Sequence, residues 1–543
     1  MPLLDRLMGM ETEYAIRLPA GCGIASHRDA FLAVIGSLRR RLPTADADVL
    51  QSGKAGLFLA SGGAVWIESL RPATNFCFIE GATPECRTPL ELLACQRAQD
   101  RLLERSAGEH GISLLKNCCD HRETIYGAQE SFNVELLSGF GLWVWRVLAV
   151  CVFLPLALAA QLLAIGAILV WLICVPLTAI VYRWRSRGKR KSERDALFDF
   201  WVGRVFRSGW DGVELPGSGL FSGVILIGLL IAVAPLAACV WLSVELTPFG
   251  RRQRQLAGFI ASRIIFTGAG HVDQRGHFCL AEKTARCRRV STIVEYGHGF
   301  FSLGQFIKPV LTVVRLPELF SSRQRLQITM SDANMCEESE YLRIGTTLLM
   351  IEAIEASEAS ELPMLRNPVK SLLRFNRDPS FQARCKLKGG ESLTAIELQR
   401  RYLQFCRQHL TTLGEVPDEI QDVVDRWENV LDELEQSPQS LIGRLDWVTK
   451  KYFIDTAADP EHHDAIKKID LRYHELSDEG YFRQFEKTGL HQRILQEDDI
   501  EKATRMPPMN TPAHWRARYI REHSINGVGI GWKTGAHGRW ETR

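Results

Sequence analysis

Apolar positions along this chain follow two regimes. Over most of its length they recur with short periods and charge interrupts them. Residues 147–182 and 219–244, by contrast, carry no charged side chain at all. Runs of 36 and 26 such residues reach the roughly 20 needed to cross a bilayer as helix, and only a helix or a closed barrel satisfies its own backbone there. Their Leu/Ala/Val composition predicts helices, so residues 138–255 read as a membrane insert.

The flanking sequence alternates in the manner of a mixed α/β protein. A strand is expected over 8–17, a helix over 29–41, and a hairpin from 56–60 to 64–68 around Ser61-Gly62-Gly63. A second long helix covers 90–109, and a strand follows at 112–116. Beyond the insert, 326–330 alternates as a strand, and 339–360 and 418–435 read as helices. Glu352, Glu355, Glu358 and Glu361 recur every third residue, which predicts a solvated helix face. The character changes near Ser437. The expected organisation is therefore 1–137, the insert at 138–255, 256–436, and a small C-terminal domain at 437–543.

Composition narrows the class. With 66 Lys+Arg against 63 Asp+Glu in 543 residues the balance is +3, which excludes a generally basic nucleic-acid binder; no nucleic-acid partner is expected. The 14 cysteines include no CxxC pair, so they read as reduced, mostly buried thiols. The N-terminus lacks the charged-then-apolar pattern of a signal peptide.

The most informative hexapeptide is Gly9-Met10-Glu11-Thr12-Glu13-Tyr14. On a strand, Glu11 and Glu13 point to one face about 7 Å apart. Adjacent carboxylates repel unless a cation lies between them or one is protonated. Hard oxygen ligands so spaced suit Mg²⁺, and an exposed strand would carry the same two acids merely solvated. Further strings follow in order: Gly81-Ala-Thr-Pro-Glu-Cys-Arg-Thr-Pro89, Lys116-Asn117 with Asp120, Tyr126-Gly-Ala-Gln-Glu130, Phe266-Thr-Gly-Ala-Gly-His-Val272, Arg325-Leu326, Ser331-Asp-Ala-Asn-Met335, Arg444-Leu-Asp-Trp-Val-Thr-Lys450, Ile469-Asp-Leu-Arg-Tyr-His474 and Gly531-Trp532.

Taken together, these strings resemble the Pup ligase and Pup deamidase/depupylase family, carboxylate–amine ligases on the glutamine-synthetase fold. The resemblance implies an α+β fold: an antiparallel sheet with helices, a small C-terminal domain and, here, a helical transmembrane insert. It also implies ATP- and Mg²⁺-dependent chemistry on a small protein modifier. ATP would phosphorylate the γ-carboxylate of the modifier's C-terminal glutamate, and a substrate lysine would attack the mixed anhydride; the reverse reaction breaks that bond. By resemblance Glu11, Glu13 and Glu85 are metal ligands, and Thr88, Glu130, Lys283 and Trp532 lie at the nucleotide, with Trp532 against adenine. The family's catalytic aspartate is absent. Glu68, at the end of the second hairpin strand, and Glu80, near Pro84-Glu85, are both candidates to replace it.

Other departures weaken the phosphate clamp. Ala64 and Lys283 stand where the family has arginines, and Gln129-Glu130-Ser131 replaces His-Glu-Asn. A catalytically weakened scaffold that recruits a modifier, and a small-molecule carboxylate–amine ligase, are the alternative readings. Motif strings lie on both sides of the insert, so the number of crossings must be even. Six cations within residues 183–191 favour a tight hairpin inside 141–182, which keeps them cytoplasmic, with 219–244 re-entrant or interfacial. The catalytic part is then expected on the cytoplasmic face of the inner membrane, with lipid contacting the insert.

Overall fold

The computed structural model describes residues 5–166 apart from 20, 49–53, 70–76 and 121–124. It then describes residue 169, and 220–539 apart from 274, 294–298, 313–314, 357–361, 458–462, 524–528, 533 and 536–537. The basic cluster at 183–191 lies outside the described residues, as do Glu358 and Glu361.

The architecture is α+β, built on one large sheet. In chain order the first part contributes β1 (Met8–Arg17), α1 (His27–Arg41), β2 (Thr44–Asp46), β3 (Gly56–Leu59), β4 (Ala64–Ser69), β5 (Cys77–Ala82), α2 (Pro89–Gly108), β6 (Ser113–Leu115) and β7 (Ala128–Glu135). After the insert come β8 (Arg289–Thr292), β9 (Gly299–Ser302), β10 (Arg323–Ser331), α6 (Glu337–Ala356), α7 (Asp418–Gln436), β11 (Glu475–Leu476), α8 (Glu497–Arg505) and α9 (Pro512–His523). Helices α3, α4 and α5 belong to the insert and its exit, described below. The strand order is β8-β9-β10-β7-β1-β5-β4-β3-β2, with β6 and β11 continuing from the far end of β1. Every pairing is antiparallel except β8 with β9.

Period-two alternation decides which face does what. Met8, Met10, Thr12 and Tyr14 of β1 are buried, as are Ala128, Phe132 and Val134 of β7, while Gly9, Glu11, Glu13, Gln129, Ser131 and Asn133 point to the other, partly open face. The buried side rests on α6, which is covered along nearly its whole length. That burial overturns the expected solvated acidic face. Glu352 and Glu355 instead close on the wholly buried Arg6, at 2.8 and 2.5 Å. A guanidinium in the core needs carboxylates around it, and helical spacing supplies two from one face.

Residues 437–543 share this framework rather than standing apart from it. β11 extends the sheet through β6, Ile530 bridges to Ala47 beside β2, and Leu441, Leu445 and Trp447 lie in the main core.

The insert leaves and re-enters at one end of the sheet. Helix α3 (Gly139–Gly166, with a π-turn at Ala149–Phe153) is 28 residues long, with a mean hydropathy of 2.5. It is long and apolar enough to cross a membrane and exposes Phe140, Leu162, Leu163 and Ile165. Helix α4 (Leu220–Glu245) runs unbroken through Pro235. It bends by 77° into α5 (Pro248–Ser262), whose side chains from Leu256 to Ser262 are all buried in the core. Both ends of the insert are tied to one domain: β10, after it, pairs with β7, before it, along Arg323↔Glu135 to Ser331↔Ala128. The chain must therefore return to the side it left, which keeps any crossing number even.

Candidate active site

The open face of the sheet gathers the acids. Glu11 and Glu13 project from β1; opposite Glu13 in the β1–β5 register stands Glu80, and opposite Glu80 on β4 stands Trp66, with Glu68 two residues further along the same face. Glu80 is only 2% exposed. The turn at Gly62, which has a positive φ of 93°, carries β3 back into β4 and brings Phe58 onto the same face, opposite Ala64.

At the centre sits a lysine that the motif strings do not contain. Lys54 Nζ donates to Glu68 Oε2 at 2.7 Å and to Glu80 Oε2 at 2.6 Å. Burial pushes the Glu80 carboxyl well above the usual range, and the charge on Glu68 pushes it further. Burial would raise Glu68 too, but the proton shared with Glu80 and the Lys54 ammonium outweigh it and hold Glu68 at about 2. Two acids beside one cation cannot both ionise cheaply, so the two carboxyls are pushed in opposite directions. Glu68 and Glu80, the two alternatives for the catalytic acid, thus form one pair.

Glu11 and Glu13 differ from each other. Glu11 loses hydration, yet the Arg325 guanidinium, Nη2 to Oε1 at 2.8 Å, holds it below its ordinary value. Glu13 has no such fork; burial lifts it to about 7 although the Lys283 ammonium is close by. Lys283 reaches the site across Gly127, where an added methyl group would stand 2.3 Å from Nζ.

Glu85 lies where the chain after β5 continues beside β1. The Met8↔Cys86 bridge puts it about 7–10 Å along the strand direction from Glu11. Its carboxylate is gripped by Arg516 of α9, at 2.8 and 3.2 Å. Arg516 also donates to Gly62 O and Trp532 O, and its guanidinium lies over the Trp532 ring at 4.6 Å. Trp532 meets Phe58 and Trp66 with ring centroids 5.0 and 6.2 Å away. One face of the indole expected to pack on adenine therefore carries Arg516.

Two residues expected at the nucleotide have partners of their own within the chain. Glu130 is on the opposite face of the sheet, in register with Met10 and Ile328, where it forms a fully buried pair with Arg263 at 2.5 Å and also meets Ser331. Strand alternation that points Gln129 and Ser131 at the site must turn Glu130 away. Thr88 is the N-cap of α2: its hydroxyl accepts from Glu91 N, and Glu91 returns the bond to the Thr88 backbone.

The donor types suit Mg²⁺ but the arrangement does not form a cage. Among the described residues no three acidic, imidazole or thiolate side chains converge to hold an ion, and Glu11, Glu85 and the Glu68–Glu80 pair each face a cation of the chain itself. Sequence reasoning missed Lys54 and Arg516 because 14 and 431 residues separate them from Glu68 and Glu85. Arg325 stood in a motif string, and its place in the polar register of β10 points it at Glu11.

Comparisons with known proteins agree with this frame. The profile of the family described as Pup-ligase protein matches residues 6–535. The depupylase of Acidothermus cellulolyticus is 28% identical over 298 residues, 53% of this chain and 58% of that protein. The Pup–protein ligase of Acidimicrobium ferrooxidans is 27% identical over 288 residues, 52% of this chain and 62% of its own length. The Pup deamidase/depupylase of Mycobacterium tuberculosis strain H37Rv is 28% identical over 302 residues, 53% and 58%. The chain thus spans about three-fifths of the length of these relatives. In fold it is similar to the ligase PafA solved in complex with Pup, with a TM-score of 0.63 at 18% identity, covering 100% of this chain and 90% of that one. PafA in complex with ADP gives a TM-score of 0.58 at 17% identity, with 91% and 89% covered. The chain belongs to the Pup-ligase protein family.

Proposed function

We propose that this chain is an ATP-dependent enzyme that forms or cleaves the isopeptide bond between the C-terminal Glu or Gln of a Pup-like modifier and a lysine of a protein substrate. The observation that carries the reading is the Glu68–Glu80 pair, two carboxyl groups that share the Lys54 ammonium on the face that also bears Glu11 and Glu13. For ligation, ATP phosphorylates the modifier's carboxylate. Glu68 takes a proton from the incoming amine, the nitrogen attacks the acyl phosphate, and phosphate leaves. In the reverse direction Glu80 supplies the proton that the departing lysine amine requires. Mg²⁺ is proposed as the counter-ion that ATP carries on its phosphates.

The proposed location is the cytoplasmic face of the inner membrane, tethered through lipid contacts of the insert. Its support is the exposed apolar length of α3 and the return of the chain through α4.

The test is to incubate detergent-purified protein with ATP, Mg²⁺ and Pup ending in Glu or Gln, and to read intact masses. Loss of ammonia from the Gln form identifies a deamidase, and modifier–lysine adducts identify a ligase. No mass change while nucleotide still binds sinks the enzyme reading. That outcome would favour a scaffold that recruits modified proteins, a role consistent with Glu11, Glu68 and Glu85 each already facing a cation of the chain.

A further inference from the structure

We infer that Lys54 occupies the place of the incoming lysine amine and holds the acceptor site closed, as a pseudo-substrate within the chain. The inference rests on the proposed function, because it assigns the Glu68–Glu80 pair to amine activation.

An acceptor amine must come within hydrogen-bond reach of the base that deprotonates it. Lys54 Nζ already stands at that distance, 2.7 Å from Glu68 and 2.6 Å from Glu80. It brings the same functional group as a substrate lysine, a primary amine on a four-carbon stem, so any geometry that suits one suits the other. Its contacts with Glu68 and Glu80 hold it as an ammonium, and in that form its nitrogen has no lone pair with which to attack. A second ammonium cannot join it: at about 4 Å two like charges repel by several kcal/mol in a partly buried site.

Lys54 is placed to withdraw. Its side chain keeps 29% of its exposure, and it lies two residues before β3, outside the strand pairing that fixes Glu80. Trp66, which faces Glu80 across the β4–β5 pair, gives the site an apolar wall against which a substrate lysine's methylenes can lie once Lys54 has moved. An ordinary ion pair that merely neutralises Glu80 would show the same contacts, so the test must tell occupancy from charge balance.

The probe is Nα-acetyl-L-lysine methylamide, with the norleucine analogue, which lacks the amine, as control. Binding to the full-length protein in detergent is followed by saturation-transfer NMR. Lys54→Ala is expected to bind the lysine probe at least about tenfold more tightly than the parent, Lys54→Arg to show no gain, and Glu68→Gln in the Lys54→Ala background to lose it. The norleucine analogue should bind none of them. A folded Lys54→Ala protein with no gain overturns the inference.

Should that variant not fold, the parent chain decides the matter. Hydrogen–deuterium exchange of the peptide that carries Lys54, read by mass, should rise when the lysine probe is added in excess and stay level with the norleucine analogue. Unchanged exchange with the lysine probe overturns the inference. Neither measurement depends on turnover, so a chain that makes no conjugate but shows the amine effect loses the functional reading alone. One that conjugates without the amine effect loses only the role of Lys54.

Discussion

Arg325 of β10 reaches over β7 to Glu11 of β1, donating from Nε to Ser131 Oγ at 2.8 Å and from Nη2 to Glu11 Oε1 at 2.8 Å. One side chain thus ties three strands on the open face, and it is what keeps Glu11 charged. Replacing it by Gln in Arg325→Gln removes the main opposition to burial, so the Glu11 carboxyl should titrate higher. The Arg325 side chain is 40% exposed, and solvent screening holds the stability cost to about 1 kcal/mol. A carboxyl-carbon NMR titration of Glu11 checks the shift; an unmoved midpoint would mean that Lys54 and Lys308 suffice.

Glu13 has the opposite problem. Its folded value of about 7 lies above the usual 4.5, so the folded state binds a proton that the unfolded state releases between those two values. Stability should therefore fall as pH rises from about 4.5 to 7 and stay reduced above that. Glu13→Gln removes the titration. It is expected to raise the melting temperature at pH 8 while leaving it nearly unchanged at pH 5, a gain of about 1–2 kcal/mol after allowing for partial exposure of the strand. Equal shifts at both pH values would refute the assignment.

Glu130 is expected to matter for folding and not for the nucleotide. Glu130→Ala leaves the guanidinium of Arg263 buried without its partner, which costs about 3–5 kcal/mol. The expected result is a large drop in melting temperature or in yield, with unaltered nucleotide affinity in whatever fraction folds. Weakened nucleotide binding at undiminished stability would restore Glu130 to the phosphate site.

Leu162 distinguishes a lipid-facing α3 from one that faces water. Its side chain is 70% exposed, so Leu162→Arg should be harmless in water. In a bilayer a central arginine costs about 2.5–3.5 kcal/mol of insertion. The fraction retained in membranes after alkaline carbonate should fall, and full retention would count against a span through this position.

The elements that alternate strictly were readable in advance. β1, the hairpin of β3 and β4, and α2 lie within a residue or two of their expected bounds, because each buries one face and its period states which. The same period held the answer for Glu130: Ala128, Phe132 and Val134 share its register, and a family string led away from it. The Glu352/Glu355 row misled for a related reason. Acids three apart look solvated until a buried Arg6, 346 residues away in the chain, is found opposite them. Lys54 was illegible because no local pattern marks a loop lysine that folds back between two strands.

The lacing of β7 to β10 has a further consequence, for biosynthesis. Roughly 190 residues separate their paired ends, including the entire insert. At about 5–20 residues per second the ribosome takes some 10–40 s to deliver the second strand. Throughout that interval β7 is an unpaired border of a half-built sheet, with backbone donors and acceptors bare to any passing chain. If α3 enters lipid as proposed, feeding it there during the wait would hold the nascent half at a surface, away from its siblings, and the apolar segment would serve assembly before location.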